Sequence, residues 1–144
     1  MSNAHSPDPN ALSDAEVESA PRILCIDEDP HVCEAIADRL TSYDVEINTA
    51  FFGTLDYWMA KEELPDLIIT DYRMPRGNAG HIVETVRRNQ RTWNIPVIVL
   101  SRQIDDAKRD MHRYGVQEII AKPVALDDLI NIISKYIPLE TIRV

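Results

Sequence analysis

Short strand-like runs and helix-like runs take turns along this chain, and no other feature narrows its fold as much. Residues 22–26, 67–70 and 95–100 are continuous apolar or β-branched runs, the pattern of strands buried on both faces of a parallel sheet. Residues 45–48 and 116–121 read as two further short strands. Between these runs, apolar residues recur at helical spacing. Val32, Ile36 and Leu40 mark a helix whose start is signalled by Asp29-Pro30. Residues 52–61, 81–89, 105–113 and 126–137 read as four more helices, the last with Asp127 and Asp128 in its first turn, where the helix dipole favours them. Strand and helix thus alternate five times, which predicts an α/β, doubly wound, five-stranded parallel sheet with five helices on its two faces, joined by right-handed crossovers. At 144 residues, 44% of them hydrophobic, the chain has material for one such domain, and no internal repeat suggests a second.

A parallel sheet brings the C-terminal ends of its strands to one edge, the edge where open α/β sheets bind ligands. At those ends this sequence releases Asp27-Glu28, Asp71, Ser101 and Lys122-Pro123. Each has an ordinary reading by itself: an acidic helix N-terminus, a turn-opening aspartate, a strand-end hydroxyl, a solvated lysine beside a turn. Their arrival together at successive strand ends argues for a site. Carboxylates crowded at one edge repel one another and raise each other's pKa values, and a hard divalent cation resolves the repulsion. The expected metal set is Glu28 and Asp71 as direct Mg²⁺ ligands, Asp27 close by or through water, and a backbone carbonyl from the loop after Asp71. Ser101 and Lys122 are the hydroxyl and ammonium that an incoming phosphoryl group would need.

Composition excludes several alternatives. Lys+Arg 15 against Asp+Glu 24 leaves a net charge of −9, which argues against non-specific nucleic-acid or anionic-membrane binding. Cys25 and Cys33 are spaced for neither a zinc knuckle nor a CxxC redox pair, and Cys25 sits in an apolar run, so a buried free thiol in a reducing cytosol is expected. No apolar run is long enough to span a membrane and no leader pattern is evident, so a soluble cytoplasmic chain is expected. Residues 1–20 read as a flexible polar lead-in, with Ser2-Asn3-Ala4 resembling a cloning remnant, residues 21–138 as the folded domain, and residues 139–144 as a tail or linker stub.

Four segments carry a family resemblance: Ile23-Leu24-Cys25-Ile26-Asp27-Glu28-Asp29-Pro30, Asp66-Leu67-Ile68-Ile69-Thr70-Asp71-Tyr72-Arg73-Met74-Pro75, Ile95-Pro96-Val97-Ile98-Val99-Leu100-Ser101 and Ala121-Lys122-Pro123. In this order and spacing the chain resembles a response-regulator receiver domain of two-component signalling. That resemblance implies a flavodoxin-like strand order of 2-1-3-4-5. It also implies that Asp71 is the phospho-acceptor, that Asp27 and Glu28 bind Mg²⁺ with the Arg73 carbonyl, and that Ser101 and Lys122 hold the phosphoryl oxygens. The implied donor is a histidine kinase or a histidine phosphotransfer protein. An effector domain or partner protein would read the change, self-association stays open, and the chain is not an enzyme beyond its own phosphorylation and dephosphorylation.

The chain departs from the family pattern at several points. Glu28 is one methylene longer than the usual second aspartate, and the Asp71–Gly80 spacing is one residue longer than usual. Ile119 stands where the family carries Tyr or Phe, and Arg102 stands where it prefers a small residue. These departures keep open an alternative: a receiver-like protein-interaction module not controlled by phosphorylation.

Overall fold

The computed structural model describes residues 20–50, 64–75 and 77–142. The elements are β1 (Arg22–Ile26), α1 (Pro30–Arg39), β2 (Glu46–Ala50), β3 (Leu67–Asp71), α2 (Gly80–Arg88), β4 (Val97–Ser101), α3 (Ile104–Met111), β5 (Glu118–Ala121) and α4 (Leu126–Ile133). The five strands form one wholly parallel sheet in the order β2-β1-β3-β4-β5, the flavodoxin-like order expected. Four helices lie among the described residues, and the expected helix over 52–61 and the lead-in at 1–19 lie outside them.

Side-chain alternation along the strands makes two cores rather than one. Leu24, Ile26, Ile68, Val97 and Val99 face α2 and α3, meeting Ile82, Val83, Val86, Ala107 and Met111. Ile23, Cys25, Leu67, Ile69, Ile98 and Leu100 face α1 and α4, meeting Cys33, Ile36, Leu129 and Ile133. Because both faces are covered, the strands carry uninterrupted apolar runs. Full burial of each such side chain contributes about 1.5–3 kcal/mol. Cys25 and Cys33 are free thiols within the second core, their sulfurs 2.9 Å apart. The Cys33 hydrogen bond and burial push the Cys25 thiol well above its usual range.

Local chemistry sets the element ends. Asp29 caps α1 by accepting the His31 N–H at 2.9 Å, with Pro30 opening the helix. A short 3₁₀ turn, His112–Tyr114, follows α3 and ends at Gly115, whose φ of 70° is the left-handed region that glycine enters freely. Arg87, half-buried near the end of α2, donates to the carbonyls of Trp93 (3.0 Å), Ile95 (2.7 Å), Tyr114 (3.2 Å) and Gly115 (3.0 Å). One guanidinium thereby satisfies the turns before β4 and β5.

Three segments differ from the sequence reading. By its two glycines the run 76–80 reads as a flexible loop, yet Gly77-Asn78 pairs antiparallel with Arg73-Met74, and Asn78 Oδ1 accepts the Gly80 N–H at 2.8 Å. The helix expected over 126–137 has its regular part at Leu126–Ile133. In the expected tail, Asp44 N–H donates to the Glu140 carbonyl at 2.8 Å and Ile142 N–H to that of Ser42 at 2.9 Å, docking residues 140–142 beside the α1–β2 turn. Backbone pairing between such remote segments leaves no local sequence signal.

Candidate functional site

Strand register levels the polar groups. Ile26 lies opposite Thr70, Asp71 opposite Leu100, and Ser101 opposite Ala121. The residue ending or following each strand therefore reaches the same rim. There the Lys122 ammonium stands 2.8 Å from Asp27 Oδ2 and 3.1 Å from Asp71 Oδ1. Asp27 is only 2% exposed, and its other oxygen accepts the Asp29 N–H at 2.9 Å. The Lys122–Pro123 peptide bond is cis.

A cavity of about 270 Å³ opens over this cluster, lined by Asp27, Glu28, Asp29, Asp71, Arg73, Arg102, Gln103 and Lys122. Burial, and then the charge of Asp27, push the Asp71 carboxyl above its usual value. Lys122 and the Tyr72 amide only partly offset this. Burial works against the Lys122 ammonium, but its bonds to Asp27 and Asp71 outweigh that effect and hold its pKa above the usual lysine value. The rim thus keeps an excess of negative charge around one ammonium.

Of the residues singled out from sequence, Asp27, Asp71 and Lys122 are in direct contact. Glu28 and Arg73 are exposed and line the same cavity. Ser101 is buried, accepting the Gln103 N–H at its hydroxyl (2.8 Å) and the Lys122 N–H at its carbonyl (2.8 Å), which leaves the hydroxyl proton free to donate. Asp29 serves as the α1 cap. Among the described residues no three His, Cys, Asp or Glu side chains form a ready cage for a metal ion. The Lys122 ammonium lies between the Asp27 and Asp71 carboxylates.

Two residues at the site went unmarked in the sequence. Gln103 accepts from Arg73 Nε at 2.7 Å, bridging the loop after β3 to the loop after β4. Tyr72, buried beside Asp71, donates its hydroxyl to Asp110 on α3. Neither position follows a spacing that would have flagged it. Ile119 packs into the core shared with Tyr72, so an aliphatic side chain fills the place the family gives to an aromatic one.

A flavodoxin-like sheet with acids, a hydroxyl and an ammonium gathered at its C-terminal rim defines the class of signalling domains to which this architecture answers. The family model described as the response regulator receiver domain matches residues 23–134, and the chain belongs to this family, which serves two-component signalling.

Among relatives, the sensor histidine kinase TmoS of Ectopseudomonas mendocina is 30% identical over 139 residues, 93% of this chain and 14% of that protein. The hybrid signal transduction histidine kinase D of Dictyostelium discoideum is 29% identical over 82% of this chain and 8% of its own length. The DNA-binding dual master transcriptional regulator RpaA of Synechocystis is 29% identical over 76% of this chain and 46% of its own length. The chain therefore spans less than half the length of each of these curated relatives.

The chemotaxis response regulator CheY4 of Vibrio cholerae superimposes with a TM-score of 0.75 at 20% identity, covering 82% of this chain and 99% of that one. The receiver domain of the sensor histidine kinase PA1611 from Pseudomonas aeruginosa, solved with a magnesium ion coordinated in its active-site cleft, superimposes at 0.71 and 20% identity, covering 81% of this chain and 97% of that one. At this identity the two likenesses show the fold. Among the described residues no helix is long and apolar enough to cross a membrane.

Proposed function

We propose that this receiver domain is a phospho-acceptor switch, with Asp71 taking the phosphoryl group from a phosphohistidine of a histidine kinase or phosphotransfer protein in the cytoplasm. The observation that carries the reading is the Lys122 ammonium held 3.1 Å from Asp71 and 2.8 Å from Asp27. A carboxylate oxygen of Asp71 attacks phosphorus and forms an acyl phosphate. The P–N bond of the donor breaks, its electron pair goes to the imidazole nitrogen, and that nitrogen takes a proton from water. Lys122 and the Ser101 hydroxyl then hold the oxygens of the new group.

The donor set fits Mg²⁺. Asp27, Glu28, Asp71 and the Arg73 carbonyl are hard oxygen donors around one cavity with surplus negative charge. Mg²⁺ needs only one or two protein carboxylates because it keeps several waters, so a complete three-carboxylate cage is not required. When bound, the ion would neutralise charge on the transferring oxygens. The PA1611 receiver, which carries magnesium in its cleft, supports the same assignment here. The acyl phosphate would bias the loop after Ser101 and α3, changing a surface that an effector domain or partner protein reads.

Labelling with acetyl phosphate or phosphoramidate in the presence of Mg²⁺, read by intact mass, tests this. Wild type should gain one phosphoryl group and Asp71→Asn none. Equal labelling of both, or of neither, rejects the proposal. A second reading, an interaction module indifferent to phosphate, is favoured by Ile119, an aliphatic side chain where the family carries an aromatic one. Failure to bind Mg²⁺ at millimolar concentration would select it.

A further inference from the structure

Three cationic side chains line the acid-lined cavity: Arg73, Arg102 and Lys122. Lys122 is bonded to Asp27 and Asp71, and Arg73 to Gln103. Arg102 alone of the three has no hydrogen bond or ion pair among the described residues, although four carboxylate side chains line the same cavity. It is exposed and directly follows the buried Ser101, whose carbonyl is fixed by the Lys122 N–H at 2.8 Å. Arg102 and Lys122 also line a neighbouring, largely apolar cavity of about 640 Å³ with Val32, Ile36, Pro123 and Val124, so the pair forms the ridge between the two hollows.

A phosphoryl donor approaching Asp71 brings two negative charges toward a rim that already carries an excess of them. Repulsion of that kind slows encounter, and a free cation at the mouth reverses it locally. Guanidinium suits the task because its planar fork meets two phosphoryl oxygens at once and is more weakly hydrated than an ammonium. We infer that Arg102 is a donor-capturing residue: its guanidinium receives the oxygens of an incoming dianionic phosphoryl donor and guides them toward Asp71, so that this site favours dianionic donors over less charged ones. The inference rests on the reading of Asp71 as phospho-acceptor and adds a donor preference to it.

The test compares wild type, Arg102→Ala, Arg102→Gln and Arg102→Lys with two probes, dianionic acetyl phosphate and the less charged phosphoramidate, at low and high ionic strength. Affinity for beryllium fluoride, a phosphoryl mimic, gives a readout independent of turnover. Arg102→Ala and Arg102→Gln should raise KM for acetyl phosphate about 3- to 10-fold, the range of a partly exposed charge-assisted contact. They should change phosphoramidate labelling less, and weaken beryllium fluoride binding. Arg102→Lys should retain part of the effect, and high salt should shrink it. Labelling by acetyl phosphate that is unchanged or faster in Arg102→Ala would mean the side chain merely crowds the entrance, and overturns the inference alone. A wild-type chain that takes no phosphoryl group at all removes the acceptor reading and this inference with it.

Discussion

Lys122 and Asp27, 95 positions apart in the chain, meet at 2.8 Å with 10% and 3% of their side chains exposed. The pair shows how the rim is held together electrostatically. One ammonium is shared between two carboxylates, and the Lys122 backbone is anchored in turn by the Ser101 carbonyl. A shielded ion pair of this kind adds little net stability over an apolar replacement of both partners, but removing one partner strands a buried charge.

Lys122→Met should therefore destabilise the domain by about 2–4 kcal/mol, by leaving Asp27 and Asp71 to repel each other without a counter-ion. Adding Asp71→Asn should recover part of the loss, a non-additivity expected of groups in one network. Urea unfolding without divalent cations reads both effects. A neutral Lys122→Met, or strictly additive single effects, would contradict this account.

Asp71 is held above its ordinary pKa, first by burial and then by the charge of Asp27. The folded state thus binds the Asp71 proton more tightly than the unfolded chain does. Its stabilising contribution is full below the unfolded carboxylate value and is lost as pH rises through the raised folded value. At neutral pH the ionised carboxylate is a burden. Asp71→Asn should then melt at a higher temperature than wild type at pH 7 without Mg²⁺, and the gap should close as pH falls through the carboxylate range. A lower melting temperature for the variant at pH 7 would refute the sign.

Arg87 gathers four backbone carbonyls that have no strand or helix partner of their own. Arg87→Ala should cost about 3 kcal/mol through those orphaned acceptors, and Arg87→Lys should not restore it, because a point ammonium cannot reach several carbonyls in one plane. Chemical denaturation compares the two. A lysine variant as stable as wild type would show that charge alone suffices.

Tyr136 donates its hydroxyl to Glu118 at the start of β5, and that bond, with some burial, pushes the phenol up to about 12. The stabilisation it brings is present below the ordinary tyrosine value near 10 and is lost as pH rises through about 12. Ultraviolet titration should resolve Tyr136 as a late-ionising tyrosine beside Tyr72, whose bond to Asp110 also raises its phenol, and Glu118→Gln should bring Tyr136 alone back toward 10. A late-ionising fraction left unchanged in that variant would point to another cause.

The parallel α/β architecture, the α1 cap at Asp29 and the buried free thiol of Cys25 were legible because each depends on residues close together in the sequence or on a repeated period, whereas the strand order followed only from the family resemblance. The Arg73–Gln103 bridge and the Tyr72–Asp110 bond were not, since each joins side chains from separate loops or elements whose spacing follows no period. The docking of residues 140–142 beside residues 42–44 was likewise hidden, because it uses backbone groups that every residue carries.

By itself the amino-acid order determined the alternation of buried strands and amphipathic helices, and with it the identity of the groups delivered to one rim: Asp27, Glu28, Asp71, Ser101 and Lys122. Only the tertiary structure decided how those groups stand to one another. Strand register set Asp27 and Asp71 within reach of a single ammonium, left Glu28 exposed and kept Arg102 unengaged among the described residues. Periodicity along a chain fixes which way side chains point, whereas distances across a sheet follow from the hydrogen-bond ladder between strands that the sequence keeps far apart.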